Sequence, residues 1–190
     1  MALKKGTEIP TIDVVLVTIT THGDSPKEIA LDTANKIGVN PVIETTDAVK
    51  LIVKGKLLSQ KPQENTVTGN TIVLTDNVFN PELAQILQGG TVQYEELTNK
   101  FVSYTPPTPS SNEKGEVFDL NAYSAVYSTA GLITGYEKVS YPNCQGTPFG
   151  VQSEDGVFAV SEYTINSAPE ANQAPYTIEM VKTLPTVTTV

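Results

Sequence analysis

"FNPELAQILQGG", Phe79–Gly90, is the stretch of this 190-residue chain in which every local signal agrees on a helix. Asn80 can accept a backbone N–H bond as N-cap, and Pro81 pre-sets φ at the first helical position. Glu82 complements the positive end of the helix dipole, and Gly89 is available for the left-handed position that ends a helix. Leu83, Ala84, Ile86 and Leu87 form one apolar stripe, about two and a half turns long. So short a helix is marginal by itself and must lay that stripe against a packing partner. The surrounding segments read as strands. The expected arrangement is therefore a β core with one docked helix, sealed by Leu83, Ile86 and Leu87, with Glu82, Gln85 and Gln88 turned to solvent or a neighbouring subunit.

Composition supports the β core. Val, Ile and Thr make up roughly three residues in ten, and β-branched side chains favour the pleated sheet. The length suits one domain with a substantial core; two small domains would also fit, and one is the expectation. Formal net charge is −9, and all twelve basic residues are lysine. Such a chain lacks the cationic surface and the arginine forks with which proteins grip nucleic acid. The single cysteine, Cys144, excludes an intramolecular disulfide, and no Cys/His spacing suits zinc. No apolar run has the length of a signal peptide or a membrane span, so the expectation is a soluble chain made in the cytoplasm and without a membrane partner.

Outward from the helix, "TIDVVLVTIT", residues 11–20, is a β-branched run that looks apolar on both faces. "SPKEIALDTANKIG", Ser25–Gly38, carries a capping-box pattern at Ser25 and Glu28, with Pro26 between them. Local rules make it a weakly amphipathic helix. "AVKLIVKGKLLSQ", Ala48–Gln60, alternates imperfectly and reads as one long, half-buried strand. Gly69-Asn70 can supply the positive φ of a turn, which places a hairpin or bend between Gln60 and Thr71 and a strand through Leu74. Residues 91–104 read as strand, turn, strand. "TPPTPSSNEKGE", Thr105–Glu116, concentrates Pro, Ser, Asn and charge and reads as a protruding loop. Four further strands follow, in 117–127, 132–146, 156–169 and 176–185, with a hairpin signal at Asp155-Gly156 and a loose tail over 185–190.

The chemistry-bearing residues do not assemble into a site. His22, the only histidine, lies in the polar turn "THGDSP", where Asp24 and Ser25 are too close in sequence to converge with it as a triad. Cys144 has no histidine or lysine placed to activate it. Neighbouring carboxylates such as Glu95-Glu96 point to opposite faces of a strand. No calcium loop or phosphate-binding glycine loop is present, and Gly89-Gly90 follows its helix, at the wrong end for an anion. The expectation is a non-enzyme with no catalytic residue, cofactor or metal. It is either a structural building block or, alternatively, a β-sandwich binding module, adhesin-like or carbohydrate-binding, on a particle surface.

The run from Glu44 to Val92, "ETTDAVKLIVKGKLLSQKPQENTVTGNTIVLTDNVFNPELAQILQGGTV", resembles the middle of the tail tube (major tail) proteins of bacteriophages infecting Gram-positive hosts. Its strand, lysine-rich "VKGK" turn, further strand and short "DNVFNPEL" helix ending in Gly-Gly carry the likeness, over about a quarter of the chain. The resemblance implies a mainly β fold, a β-sandwich or small barrel with one short flanking helix and extended loops or arms. It implies a virion tail subunit that self-assembles into stacked hexameric rings around a hollow conduit. DNA would pass without specific binding, and the tail tip or baseplate, terminator and tape measure proteins would be partners. An acidic lumen suits that passage, because cationic contacts would retain DNA. Carried over by position, Asn80, Pro81, Leu83, Ile86, Leu87 and Gly89 belong to the flanking helix, and Val49–Leu58 with Thr71–Leu74 to the core sheet. Candidate subunit contacts are Asp24, Glu28, Asp32 and Lys36 in an arm or loop around 21–47, and Pro106, Pro107, Pro109 and Glu113 in the loop. As an inter-ring arm, 25–38 would be extended, against the helix of the local rules.

Overall fold

The structure, a computed structural model, describes residues 8–150, 155–156 and 160–187. Twelve strands and one helix follow one another: β1 Thr11–Thr21, β2 Glu28–Leu31, β3 Ala34–Thr46, β4 Val49–Val53, β5 Lys56–Lys61, β6 Glu64–Asp76, α1 Pro81–Gln88, β7 Thr91–Tyr94, β8 Phe101–Thr105, β9 Phe118–Tyr127, β10 Ile133–Gly146, β11 Ser161–Ser167 and β12 Thr177–Val181. Among the described residues the fold is mainly β with a single short helix, as the sequence implies.

Eight strands form one antiparallel sheet in the order β2-β1-β9-β10-β11-β6-β3, with β12 also paired to β10. β2 and β3 lie at opposite ends of that order, yet only Asp32 and Thr33 separate them in the chain. The sheet must therefore curl until its edges meet. No ladder joins them, so it is not a closed barrel.

Alternation sets the inner face. Val17 and Ile19 of β1, Ile72 and Leu74 of β6, Phe118 and Leu120 of β9, and Tyr163 and Ile165 of β11 are all fully buried in one cluster. Leu83, Ile86 and Leu87 of α1 join it, each contributing about 1.5–3 kcal/mol by leaving water. The outer face is polar in its middle: Asn121 donates to Thr18 Oγ1 (3.3 Å), and its Oδ1 accepts from Ser140 (2.7 Å).

The helix is held at both ends. Asn80 Oδ1 accepts from the Leu83 N–H at 2.9 Å, Pro81 opens the first turn, and Gly89 at φ 82 donates to the Gln85 carbonyl at 2.8 Å. A second carbonyl at the helix end, that of Ile86, accepts from the Glu116 N–H at 2.8 Å. The closing loop thus caps what the helix leaves unpaired. A Cβ on Gly146 of β10 would lie 2.6 Å from the Leu87 Cα, so the bare backbone of that glycine is what lets α1 sit on the sheet.

Four sequence readings change. Ser25–Gly38 is not helical: Glu28–Leu31 pairs with Val17–Thr20, and Ala34 begins β3 against β6. Pairing that buries Leu31 and Ala34 outweighs a local capping pattern. Ala48–Gln60 is a hairpin rather than one half-buried strand. Lys54 (φ 47) and Gly55 (φ 79) make its tight turn, and every residue of β4 and β5 is exposed. Two positive φ values in succession suit the primed turns that match strand twist. That hairpin is its own two-stranded sheet, so Val49–Leu58 does not belong to the core sheet, whereas Thr71–Leu74 does. Gly69-Asn70 is no turn: β6 runs straight through it, with Thr68 bulged out between the pairs Val42↔Gly69 and Ile43↔Val67. A Cβ on Gly69 would lie 2.4 Å from the Ser167 carbonyl, and this close approach is what the glycine serves.

The other strands fall where the sequence places them, as β1, β7, β8, β9, β10, β11 and β12. Residues 157–159 of the expected 156–169 strand, and 188–190 of the tail, lie outside the described residues.

Candidate assembly interface

β6 pairs with β11 only from Asn70 to Asp76, and below Asn70 its sole partner is β3. From there Val42–Thr46 and Glu64–Gly69 leave the sheet as a two-stranded ribbon, and β4 and β5 continue it to the turn at Lys54-Gly55. The ribbon departs where β11 ends, at the Asn70↔Ser167 pair, and Asn70 is fixed there by bonds to Ser167 Oγ (3.3 Å) and the Pro175 carbonyl (2.9 Å). At roughly 3.3 Å per residue the arm reaches about 40 Å from its base.

Its surface is apolar and uncovered. Val49, Leu51, Ile52, Leu57 and Leu58 are each between 55% and 67% exposed, and Val42, Ile43 and Val53 are nearly as open. Isolated two-stranded hairpins are marginal in water, and contiguous exposed apolar surface of this kind marks a contact site. The sequence reading missed the arm because a half-buried strand and an unpartnered hairpin share the same imperfect alternation. The Lys54-Gly55 pair was the available signal.

The other end of β6 leads into α1, whose outer side is partly covered at Gln85 and Gln88, while Glu82 stays exposed. Gln88 Nε2 donates to the Tyr104 hydroxyl (2.8 Å), which itself donates to the Gly89 carbonyl (2.7 Å), and Gln85 bonds the Gly90 carbonyl (3.1 Å). The Tyr94 hydroxyl donates to Glu82. Burial, and then that carboxylate, push the Tyr94 phenol up to about 12, so it stays a donor. The β7–β8 hairpin therefore forms a second layer over the helix, continued by edge-on aromatic contacts from Phe79 to Phe101 and from Phe101 to Tyr94.

The sequence-derived contact residues divide between the β1–β3 stretch and the loop after β8. Asp24 lies in the exposed turn after β1, Glu28 opens β2, Asp32 sits in the β2–β3 turn, and Lys36 stands on β3 opposite Thr75. Pro106, Pro109 and Glu113 are exposed in the loop after β8, while Pro107 packs against Gly89. Glu113 donates its N–H to Ser111 Oγ. The loop is docked at both ends, with Gly115 against the Leu87 carbonyl, and it protrudes only in between. Lys27 Nζ meets Glu116 Oε1 at 2.7 Å and the His22 N–H reaches the Val117 carbonyl at 2.8 Å, which brings the β1–β2 turn and the loop together.

His22 Nε2 pairs with Asp119 at 3.0 Å rather than with Asp24. Cys144 is fully buried, and burial pushes its thiol from the ordinary 9.0 up to about 12. Because the folded value is the higher one, the thiol form supports the fold fully below pH about 9 and ceases to as pH rises through about 12. The native protein should therefore leave an aromatic disulfide reagent unreacted at pH 8 and release one equivalent on denaturation; rapid native reaction would contradict the burial. Among the described residues no group of three or more His, Cys, Asp or Glu side chains could hold a metal. No helix among them is long and apolar enough to cross a membrane.

No family model matches this sequence, and no curated protein is similar to it in sequence. Among solved structures, the chain is similar to the tube-terminating cap of the anti-feeding prophage, at 15% identity and a TM-score of 0.43 over 95% of this chain and 97% of that one. It is also similar to a chain of the anti-feeding prophage baseplate, at 10% identity and a TM-score of 0.38 over 96% and 100% of the two chains. Likenesses at that level assign no function.

Proposed function

We propose that this chain is a structural subunit of a phage tail tube, one domain that assembles with copies of itself into stacked rings around a channel for DNA. The observation that carries the reading is the arm from Val42 to Gly69, an apolar ribbon standing clear of the sheet with no cover of its own. Association is what such a surface is suited to. From Glu44 on, the arm also falls within the stretch whose order of strand, "VKGK" turn, strand and capped helix resembles the tail tube proteins. The net charge of −9 suits a conduit that DNA traverses without being held. Terminator, tape measure and tail-tip or baseplate proteins would meet the ends and lumen of such a tube, and the virion tail would be its place.

Negative-stain microscopy of the purified chain over a range of concentrations tests this. Rings or hollow tubes of uniform diameter, alone or seeded by tail-tip complexes, are expected. A persistent monomer that instead binds glycans or host cells through its loops would replace this reading with a binding module.

A further inference from the structure

The surface that receives the arm can be read from charge and placement, given the self-assembly proposed above. The tip, Val49–Lys61, holds four of the twelve lysines and no carboxylate, whereas the other residues carry all 21 carboxylates against eight lysines. Lys61 is 3.5 Å from Glu64, while Lys50, Lys54 and Lys56 have no ion-pair partner among the described residues. The tip is thus a basic, apolar finger on an acidic body.

At the other end of β6 lies a groove of about 630 Å³ that suits such a finger. Glu28 and Glu82 line it together with Thr18, Thr20, Ile29 and Asn121 and with the tail residues 185–187, and among the described residues no lysine does. Its walls mix apolar and hydrogen-bonding groups, as the tip does. Glu28 is exposed and has no ion-pair partner among the described residues, and Glu82 is held in place by Tyr94.

The arm enters β6 at Glu64, and α1, which carries Glu82, follows the other end of that strand. A strand is stiff, so the tip points away from the groove of its own molecule and needs a second copy to reach one. Two different surfaces at opposite ends of a subunit make a head-to-tail contact, the kind that generates rings or open filaments.

We infer that the Lys50–Lys56 tip of one copy docks in the Glu28–Glu82 groove of the next, with the lysines facing the two carboxylates and the apolar side chains covering Ile29. Opposite charge would fix the register and speed encounter, and added salt should slow assembly.

A cross-complementation experiment tests the pairing on the full chain. Lys54→Glu with Lys56→Glu makes one variant, and Glu28→Lys with Glu82→Lys the other, each first checked for native unfolding behaviour. Each alone should need at least about tenfold more protein to assemble, because like charges then meet. Mixed in equal amounts, they should assemble within about threefold of the wild-type concentration, since each tip then finds a groove of opposite charge. A mixture no better than its parts, with the wild type assembling normally, would overturn this pairing and leave self-assembly standing. If the wild type stays monomeric, the proposed function fails, and this contact with it. Should either variant unfold, Lys54→Gln with Lys56→Gln and Glu28→Gln with Glu82→Gln replace them. Weakened assembly that no longer responds to salt is then expected, and unchanged salt dependence would contradict the contact.

Discussion

Replacing residues 47–63 by Asn-Gly should yield a folded monomer that no longer associates. Thr46 and Glu64 are paired directly across the ribbon, so a two-residue turn can close it there. Every residue of β4 and β5 is exposed, so the deletion removes nothing from the core, and unfolding free energy should change by no more than about 0.5 kcal/mol. Association should suffer far more. The deleted tip carries Val49, Leu51, Ile52, Val53, Leu57 and Leu58, all exposed, and the loss of such a cluster from an interface should raise the assembling concentration at least about a hundredfold. Sedimentation velocity over a concentration series reads this directly. Assembly that persists at wild-type concentrations would show that other surfaces join the copies.

The second large effect concerns the helix seat. Gly146→Ala places a Cβ 2.5 Å from the Leu87 Cβ and 2.6 Å from its Cα, so α1 must lift or β10 must bend. The expected cost is about 1–3 kcal/mol, visible as a lower urea midpoint. Shortening Leu87 to Ala removes the Cδ2 contact at 2.6 Å but should not rescue it, because Cβ and Cα, at 2.5 and 2.6 Å, are atoms that alanine retains. A double variant more stable than Gly146→Ala alone would mean that the end of the leucine side chain, and not the helix backbone, sets the spacing.

The two ends of β6 differed in how legible they were in the sequence. The helix could be read residue by residue because Asn80, Pro81 and Gly89 act through their own backbone neighbours, and such local effects survive in any fold. Its outer layer could not, since the contacts of Tyr104 and Tyr94 with α1 come from a hairpin placed by tertiary packing. Ser25–Gly38 misled for the same reason: the capping pattern is real, but β1 and β6 offer these residues longer pairings than a lone helix could. The arm shows a different limit. Val49, Leu51 and Val53 have the alternation of a strand whether or not a core lies beneath them, and only the Lys54-Gly55 turn separates the two cases.

The contact candidates were legible in part. Asp24 and Glu113 stand out in sequence as charge beside Gly, Ser or Asn in polar turns. That the β1–β2 turn meets the end of the loop depends on the Lys27–Glu116 pair, which no local pattern reveals. The resemblance to tail tube proteins placed "VKGK" at a turn, where the periodicity alone did not.

Assembly through the arm is decided by cryo-microscopy of the assembled protein, where closed rings are expected around an open lumen, the Val42–Gly69 arm of each subunit lying against its neighbour with its apolar side chains covered. Arms left exposed to solvent in such an assembly, or a chain that stays monomeric at every concentration tried, would contradict it.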